Sequence, residues 1–155
     1  MLTEYLIAGS KKLSRKQLNI FLKQHVATIA AGSRVMNVGA GGEIGKLISH
    51  ASRVNNFSVV STDIDPNRKP DVVVNICCSG FRDEAFDFIL VSEVLEHVTR
   101  PHDAAKEIHR LLKPGGTLIL TVPFIFPIYD RPHDYFRYTE YGLRYLFSGL
   151  SIQIF

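Results

Sequence analysis

Two patterns of apolar residues alternate along this chain. Nearly continuous apolar runs, which are typical of strands buried on both faces, occupy residues 35–38, 57–64, 71–76, 86–91 and 117–122. Apolar residues three or four positions apart, which are typical of helices, mark residues 14–31, 44–51, 101–112 and 139–147. Because strands alternate with helices, the pattern predicts a parallel sheet with helices on both faces. Residues 151–155 are expected to form a last strand, and residues 1–155 to form one domain.

Residues that cap helices and form turns support these boundaries. Ser14 begins the sequence Ser-Arg-Lys-Gln, which predicts a capping box at the start of an N-terminal helix over about 14–31. Pro101 suits the first turn of a helix, and Thr139 suits the cap of a short one. Lys-Pro-Gly-Gly at 113–116 ends the helix before it and turns the chain into the fifth strand.

A glycine cluster follows the first predicted strand. Gly39, Gly41 and Gly42 allow a tight turn and a close approach of the backbone to a ligand, and the next helix presents free N–H groups there. The arrangement predicts a nucleotide-type cofactor site at the first strand-to-helix turn. The dinucleotide pattern G-x-G-x-x-G is not met, because the third glycine comes one position late, at Gly45. A plain tight turn remains the alternative interpretation.

An aspartate ends the second predicted strand, where a ribose would lie. Asp63 follows Gly41 by 22 residues, and a carboxylate at this place can accept hydrogen bonds from both ribose hydroxyls. A turn role is the alternative for Asp63. Asp65, which points to the other side of the chain, is expected to cap the turn that begins with Pro66.

Composition and charge narrow the class of protein. The chain has 155 residues, 46% hydrophobic and 21% charged, which suits a globular protein rather than a disordered one. No apolar run reaches the roughly 18 residues of a membrane span, and the N-terminus lacks the features of a secretion signal, so a cytoplasmic location is expected. Residues 1–34 are strongly basic, and such a segment could bind anionic lipid, a glycan precursor or nucleic acid. A solvated helix face is the favoured interpretation, and no nucleic-acid partner is expected, because aromatic residues are not interleaved with the basic ones.

The two cysteines, Cys77 and Cys78, are adjacent in sequence. Neighbouring cysteines rarely meet disulfide geometry, and no second Cys or His pair lies at zinc-finger spacing. Ordinary thiols and no metal site are therefore expected.

Four segments together resemble class I S-adenosylmethionine-dependent methyltransferases of the type 11 group. They are residues 35–45, Ser-Thr-Asp-Ile-Asp-Pro at 61–66, residues 86–98 with Glu-Val-Leu-Glu-His, and residues 111–123 with Leu-Lys-Pro-Gly-Gly. The resemblance covers most of the chain. It implies a Rossmann-like doubly wound sheet with strand order 3-2-1-4-5-6 and S-adenosylmethionine as the cofactor.

The resemblance also implies roles for individual residues at the cofactor site. Gly39 and Gly41 are expected to lie against the methionine part of the cofactor. Asp63 is expected to bind the ribose, and Ile64 to pack on the adenine. All of these positions are expected at carboxyl ends of parallel strands, where ligands bind in such sheets.

Further positions complete that site, and one departs from the family pattern. Asn75 and Ile76 match positions that meet the adenine edge, although the family more often has Asp at 75. Val91 and Ser92 are expected to close the methionine side. Asn37 stands where family members usually have an acidic residue that helps hold the ammonium group of the cofactor. The amide keeps a carbonyl acceptor but lacks the charge.

Catalysis requires few side chains, since methyl transfer from a sulfonium is mostly placement of a nucleophile. His97 follows the fourth strand and is a candidate base, with helix capping or packing as its alternative. Residues 130–144, after the fifth strand, resemble a segment of methyltransferases linked to sugar, glycan or lipid-linked precursor pathways. There His133 or Asp134 could act as base, and Arg131 or Arg137 could hold a phosphate or carboxylate. A packed loop with a structural Arg137–Asp134 pair is the alternative.

The C-terminus departs from the family, whose sheet has a seventh, antiparallel strand. The chain stops at Phe155, so either a fragment or a reduced domain with an exposed edge is expected, and a homodimer through the edge of strands five and six is predicted. The sequence thus predicts a methyltransferase acting on a small-molecule or glycan/lipid-linked precursor acceptor. A non-catalytic cofactor-binding or assembly module is the first alternative, and an NAD-type oxidoreductase is the second.

Overall fold

A five-stranded parallel sheet forms the centre of the computed structural model, which describes residues 15–150. The elements, in chain order, are α1 (helical over 15–26), β1 (Arg34–Val38), α2 (Gly42–Asn55), β2 (Ser58–Asp63), β3 (Val72–Val73), β4 (Phe86–Ser92), α3 (Pro101–Leu111), β5 (Leu112–Thr121) and α4 (Glu140–Leu146). Two short 3₁₀ turns, Pro66–Arg68 and Leu95–His97, follow β2 and β4. The mixed α/β class that the alternating pattern predicts is confirmed.

The strands lie in the order β3-β2-β1-β4-β5, and every neighbouring pair is parallel. The predicted order of the first five strands is therefore confirmed. The chain moves outward from β1 through β2 and β3, then returns to the other side of β1 with β4. Such a reversal opens a crevice at the carboxyl ends of β1 and β4, where doubly wound sheets bind ligands. The Ser14 cap and the sixth strand at 151–155 lie outside the described residues.

Successive residues of β1 face opposite helical layers. Val35 packs in a cluster with Leu22 of α1 and Ile48 of α2, and all three are essentially buried. Met36 packs in a second cluster with Ile108 of α3. This alternation puts apolar side chains on both faces of the central strands, which is why their sequences are almost continuously apolar. The helices are thereby held on both faces, and the strand ends remain open to bind a ligand.

The third strand is shorter than the predicted 71–76. The carboxylate of Asp71 accepts hydrogen bonds from the backbone N–H and hydroxyl of Ser61, at 2.8 and 2.7 Å. Further along, Oδ1 of Asn75 accepts a hydrogen bond from the N–H of Cys77 at 2.9 Å, and the chain turns. Polar side chains at both ends thus take hydrogen bonds in place of the ladder, which leaves a two-residue edge strand.

The fifth strand is longer than the predicted 117–122. Leu112 already pairs with Phe86, and the next registered pair is Thr117 with Phe88, so residues 113–116 bulge out of the ladder. Gly116 lies at the bulge, where an added Cβ would approach the carbonyl oxygen of Lys113 to 2.9 Å. The Lys-Pro-Gly-Gly turn therefore lies inside the strand rather than before it.

Candidate functional site

The glycine loop continues directly from β1 and passes close to the segment after β4. The N–H of Gly39 donates to the carbonyl oxygen of Thr62 at 2.8 Å, which extends the pairing of β1 with β2. Gly39 has φ of 91°, and an added Cβ would lie 2.6 Å from Cγ2 of Val94. Gly41, with φ of 86°, then turns the chain into α2. Both conformation and space therefore require glycine at position 39.

Asp63 joins the ends of β1 and β2. Its Oδ2 accepts a hydrogen bond from the N–H of Ala40, and its Oδ1 accepts one from the N–H of Asp65, both at 2.9 Å. The guanidinium Nε of Arg68 lies 3.8 Å from Oδ2. Each carboxylate oxygen retains a further lone pair, so Asp63 can also accept hydrogen bonds from a ligand. The carboxylate is held in place by the backbone on both sides of the strand end.

Asn37 presents an unpartnered acceptor below the glycine loop. Its side chain is buried, with 1% of the residue exposed, and Nδ2 donates to the carbonyl oxygen of Gly39 at 3.2 Å. Within residues 15–150, Oδ1 has no hydrogen-bond partner. Buried polar atoms are nearly always paired in native proteins, so this oxygen is available to a donor from outside the described residues.

The remaining predicted cofactor positions surround the same strand ends. Ile64 is 68% exposed directly after Asp63, which gives an apolar surface open to a flat ligand. Ile76 and Val91 are buried in the core cluster on the α3 side of the sheet, so their side chains pack in the core beneath the strand ends. The hydroxyl of Ser92 lies 2.7 Å from that of Thr121. The structure therefore gathers the predicted positions at one edge of the sheet, with Ile64 the most accessible.

Two carboxylates follow β4 in a largely buried environment. Glu93 has φ of 54°, a left-handed conformation that is uncommon for residues other than glycine. Burial, and then the neighbouring charge of Glu96, raises the pKa of Glu93 to about 7. Burial also raises the pKa of Glu96, which is fully buried. Glu96 accepts a short hydrogen bond at Oε1 from the hydroxyl of Tyr129, while its Oε2 is unpartnered among the described residues.

The segment after β5 is fastened onto the turn after β4. The backbone N–H groups of Tyr135 and Phe136 donate to the carbonyl oxygen of Glu96, at 2.9 and 3.2 Å. Nδ1 of His97 makes a 2.7 Å hydrogen bond with the carbonyl oxygen of His133. These contacts bring the candidate base His97 and the segment carrying His133 and Asp134 to the same side of the site.

Within that segment Asp134 and Arg137 form the ion pair that the packed-loop interpretation expects. The guanidinium of Arg137 lies 2.5 and 2.8 Å from the two carboxylate oxygens, and the N–H of Tyr129 donates to Oδ2 at 3.0 Å. Arg137 is the main cause that lowers the pKa of Asp134 to about 2. His133 is exposed, with Nδ1 2.9 Å from the hydroxyl of Tyr135. Asp134 and Arg137 therefore hold each other, whereas the ring of His133 faces solvent.

Sequence reasoning missed Glu93, Glu96 and Tyr129 as members of this site. In the sequence, Glu93 and Glu96 stand out only as part of the motif Glu-Val-Leu-Glu-His, with no role attached to either. Two acidic residues three positions apart, directly after a buried strand, are a signal for groups with altered pKa values, because burial disfavours their charged forms. No sequence signal pairs Tyr129 with Glu96, since 33 residues separate them.

The described part of the chain has neither a metal cluster nor a membrane-spanning helix. Within residues 15–150 no group of three or more His, Cys, Asp or Glu side chains is placed to hold a metal ion. None of the helices in that range is long and apolar enough to cross a membrane. Cys77 and Cys78 are free thiols, as the sequence predicts.

Comparison with known proteins agrees with the geometry. The chain is 28% identical to a Coxiella burnetii ubiquinone biosynthesis O-methyltransferase, a match that covers 77% of this chain and 53% of that protein. It is 32% identical to the demethylmenaquinone methyltransferase of Renibacterium salmoninarum, covering 74% of this chain and 50% of that protein. The chain thus spans about half the length of the curated relatives it matches.

Solved structures share the fold. A putative methyltransferase from Haloferax volcanii, in complex with the Trm112 methyltransferase activator, superposes with a TM-score of 0.70 at 18% identity, covering 92% of this chain and 73% of that chain. Phosphoethanolamine N-methyltransferase 2 of Haemonchus contortus gives 0.67 at 18% identity, covering 86% and 36%. The family model described as "Methyltransferase domain" matches residues 36–120, more than half of the sequence. This protein belongs to that methyltransferase family.

Proposed function

We propose that this protein is an S-adenosylmethionine-dependent methyltransferase acting on a small-molecule or glycan/lipid-linked precursor acceptor. Two acceptors near the glycine loop carry the proposal. Oδ1 of Asn37 has no partner among the described residues, and the carboxylate of Asp63 is held by the backbone N–H of Ala40. One is an acceptor for an ammonium group, and the other is an acceptor for ribose hydroxyls. A buried acceptor that lacks a partner is costly, so a ligand donor at Asn37 relieves that cost.

The residues present fit this cofactor. In the proposal Gly39 and Gly41 let its methionine part approach the backbone, Asp63 holds the ribose, and the exposed side chain of Ile64 covers the adenine. Asn75, Ile76, Val91 and Ser92 complete the walls. The cofactor supplies a methyl group already activated by the sulfonium. The protein then has to place the acceptor, exclude water and remove a proton where the acceptor carries one.

The candidate bases differ in how they are held. Nδ1 of His97 is engaged by the carbonyl oxygen of His133, which leaves Nε2 to take a proton, 3.7 Å from Oε1 of Glu96. Asp134 is ionised and bound on both oxygens, so in this proposal it fixes the segment. His133, exposed at the rim, stays the second candidate base. Arg131 and Arg137 are the residues predicted to hold a phosphate or carboxylate of the acceptor. Arg137 already forms an ion pair with Asp134.

The acceptor class rests on sequence resemblance. The curated relatives named above include methyltransferases of ubiquinone biosynthesis and a demethylmenaquinone methyltransferase, which supports a small-molecule acceptor. The resemblance of residues 130–144 to glycan-pathway methyltransferases supports a glycan-type or lipid-linked one. A cytoplasmic location and a homodimer through the outer edge of β5 stay predictions.

Calorimetric titration tests the cofactor. S-adenosylhomocysteine is expected to bind and NADH is not; binding of NADH alone would overturn the proposal. Asp63→Ala should weaken that binding, because it removes the ribose acceptor together with its bonds to the N–H groups of Ala40 and Asp65. Isotope-labelled S-adenosylmethionine, offered with hydroxylated quinol and glycan acceptors, then separates an enzyme from a non-catalytic module of the same fold.

A further inference from the structure

Three large apolar side chains project into solvent from the segment after β5. Phe124, Ile125 and Ile128 are 61%, 86% and 62% exposed. Single exposed apolar residues are ordinary, but a group on one short segment marks an interaction surface. We refer to Phe124, Ile125 and Ile128 as the apolar tip.

The apolar tip is presented by an anchored loop. Phe126 packs edge-to-face on Tyr129, with ring centroids 5.4 Å apart, and the hydroxyl of Tyr129 is bonded to the buried Glu96. Asp134 accepts a hydrogen bond from the N–H of Tyr129 at 3.0 Å. The inward residues therefore fix the backbone, and the tip residues point outward between them. A surface held in its exposed conformation loses little further entropy on binding.

Positive charge lies at the same edge of the sheet. Arg15 and Lys16, at the described start of α1, are exposed. Arg15 is close enough to Glu93 to lower the pKa of that carboxyl, although burial outweighs this effect. Glu93 in turn interacts electrostatically with Tyr129 of the loop. The basic end of α1 and the loop that carries the apolar tip thus flank the same site.

We propose that the apolar tip is a membrane-interface anchor, which inserts into the headgroup region of an anionic bilayer beside the basic end of α1. Few apolar residues suffice for this when basic side chains add attraction to anionic lipid. A stable protein–protein interface needs about 800 Å² on each partner, far more than three side chains on one loop supply. The combination of a small apolar tip and exposed basic side chains at the start of α1 therefore favours a lipid surface.

Vesicle cosedimentation of the full 155-residue chain tests this surface. The protein is expected to bind vesicles that contain phosphatidylglycerol, and to bind less at high salt or with phosphatidylcholine alone. Ile125→Ser should lower the bound-to-free ratio about tenfold, because the side chain that inserts becomes polar. Val54→Ser is the matched control, since Val54 is 68% exposed on α2, away from the loop, and should leave vesicle binding unchanged.

The other outcomes overturn the proposal. Absence of vesicle binding, or equal binding of the wild type and Ile125→Ser, would remove the apolar tip as an anchor. Light scattering that shows a dimer in the wild type and a monomer in Ile125→Ser, without vesicle binding, would assign the tip to a second copy of the chain. Binding of S-adenosylhomocysteine should be the same in all three proteins, so a failure here is distinguishable from a failure of the proposed function.

Discussion

Replacing Asn37 by aspartate tests whether the unpartnered amide oxygen faces the ammonium group of a cofactor. In the wild type, Nδ2 donates a hydrogen bond to the carbonyl oxygen of Gly39, and Oδ1 has no partner among the described residues. Aspartate keeps an oxygen at the place of Oδ1 and adds a negative charge. It also replaces the Nδ2 donor by an acceptor, which then faces the carbonyl oxygen of Gly39.

The added charge should strengthen ligand binding, whereas the lost donor and the buried charge should lower the stability of the protein without ligand. The ammonium group is charged in both cases, so aspartate adds only the attraction between two opposite charges. After desolvation and screening, we expect the ligand to gain about 1 kcal/mol, or roughly fivefold in affinity. Without ligand, the buried carboxylate and the lost bond to Gly39 are expected to cost about 1–3 kcal/mol of folding stability. Asn37→Asp should therefore bind S-adenosylhomocysteine more tightly and melt at a lower temperature.

Calorimetry and thermal unfolding measure the two effects separately. Asn19→Asp is a matched control, because it adds the same charge at an exposed position of α1. Asn37→Ala removes the acceptor oxygen and should weaken binding. If Asn37→Asp binds the ligand more weakly than wild type while remaining folded, the ammonium group does not lie at Oδ1 and the site is built around the amide.

Three further predictions test the rest of the site. Asp63→Ala should lower the affinity for S-adenosylhomocysteine at least about tenfold by calorimetry, because bonds to a carboxylate are among the strong ones; unchanged affinity would contradict the ribose role. Gly39→Ala should destabilise the fold by roughly 2–4 kcal/mol in urea unfolding, through left-handed strain and the 2.6 Å contact with Val94, and Val94→Ala should recover only the contact part. The raised pKa of Glu93, about 7 against the ordinary 4.5, means that the folded state holds its proton longer than the unfolded state. Wild-type stability should therefore fall as pH rises between those values, and Glu93→Gln should flatten that fall; parallel pH profiles would refute it.

Much of the fold could be predicted because local signals and tertiary packing agree. The buried strands read as apolar runs, and Thr139 caps α4 as predicted, with Oγ1 accepting a hydrogen bond from the N–H of Gly142 at 3.1 Å. Asp65 likewise accepts from the N–H of Asn67 and caps the turn at Pro66. The predicted strand 71–76 was too long, since valines favour strands while Asp71 and Asn75 make competing side-chain bonds.

The site could be predicted less completely. Positions near the glycine loop follow from strand ends, because every parallel strand presents its carboxyl end at the same edge. Contacts between segments far apart in the sequence follow no comparable rule. The bond between Tyr129 and Glu96, and the backbone bonds from Tyr135 and Phe136 to Glu96, depend on how residues 123–139 fold back over β4.

That folded-back segment links the buried carboxylates to the exposed apolar side chains. Glu96 accepts hydrogen bonds from the hydroxyl of Tyr129 at its side chain and from two backbone N–H groups at its carbonyl oxygen, so a single residue after β4 holds the loop at two places. The same loop exposes Ile125 to solvent, and the carbonyl oxygen of its His133 bonds to His97. Because these contacts join rigid elements, a surface that holds Ile125 also sets the orientation of the candidate bases relative to that surface.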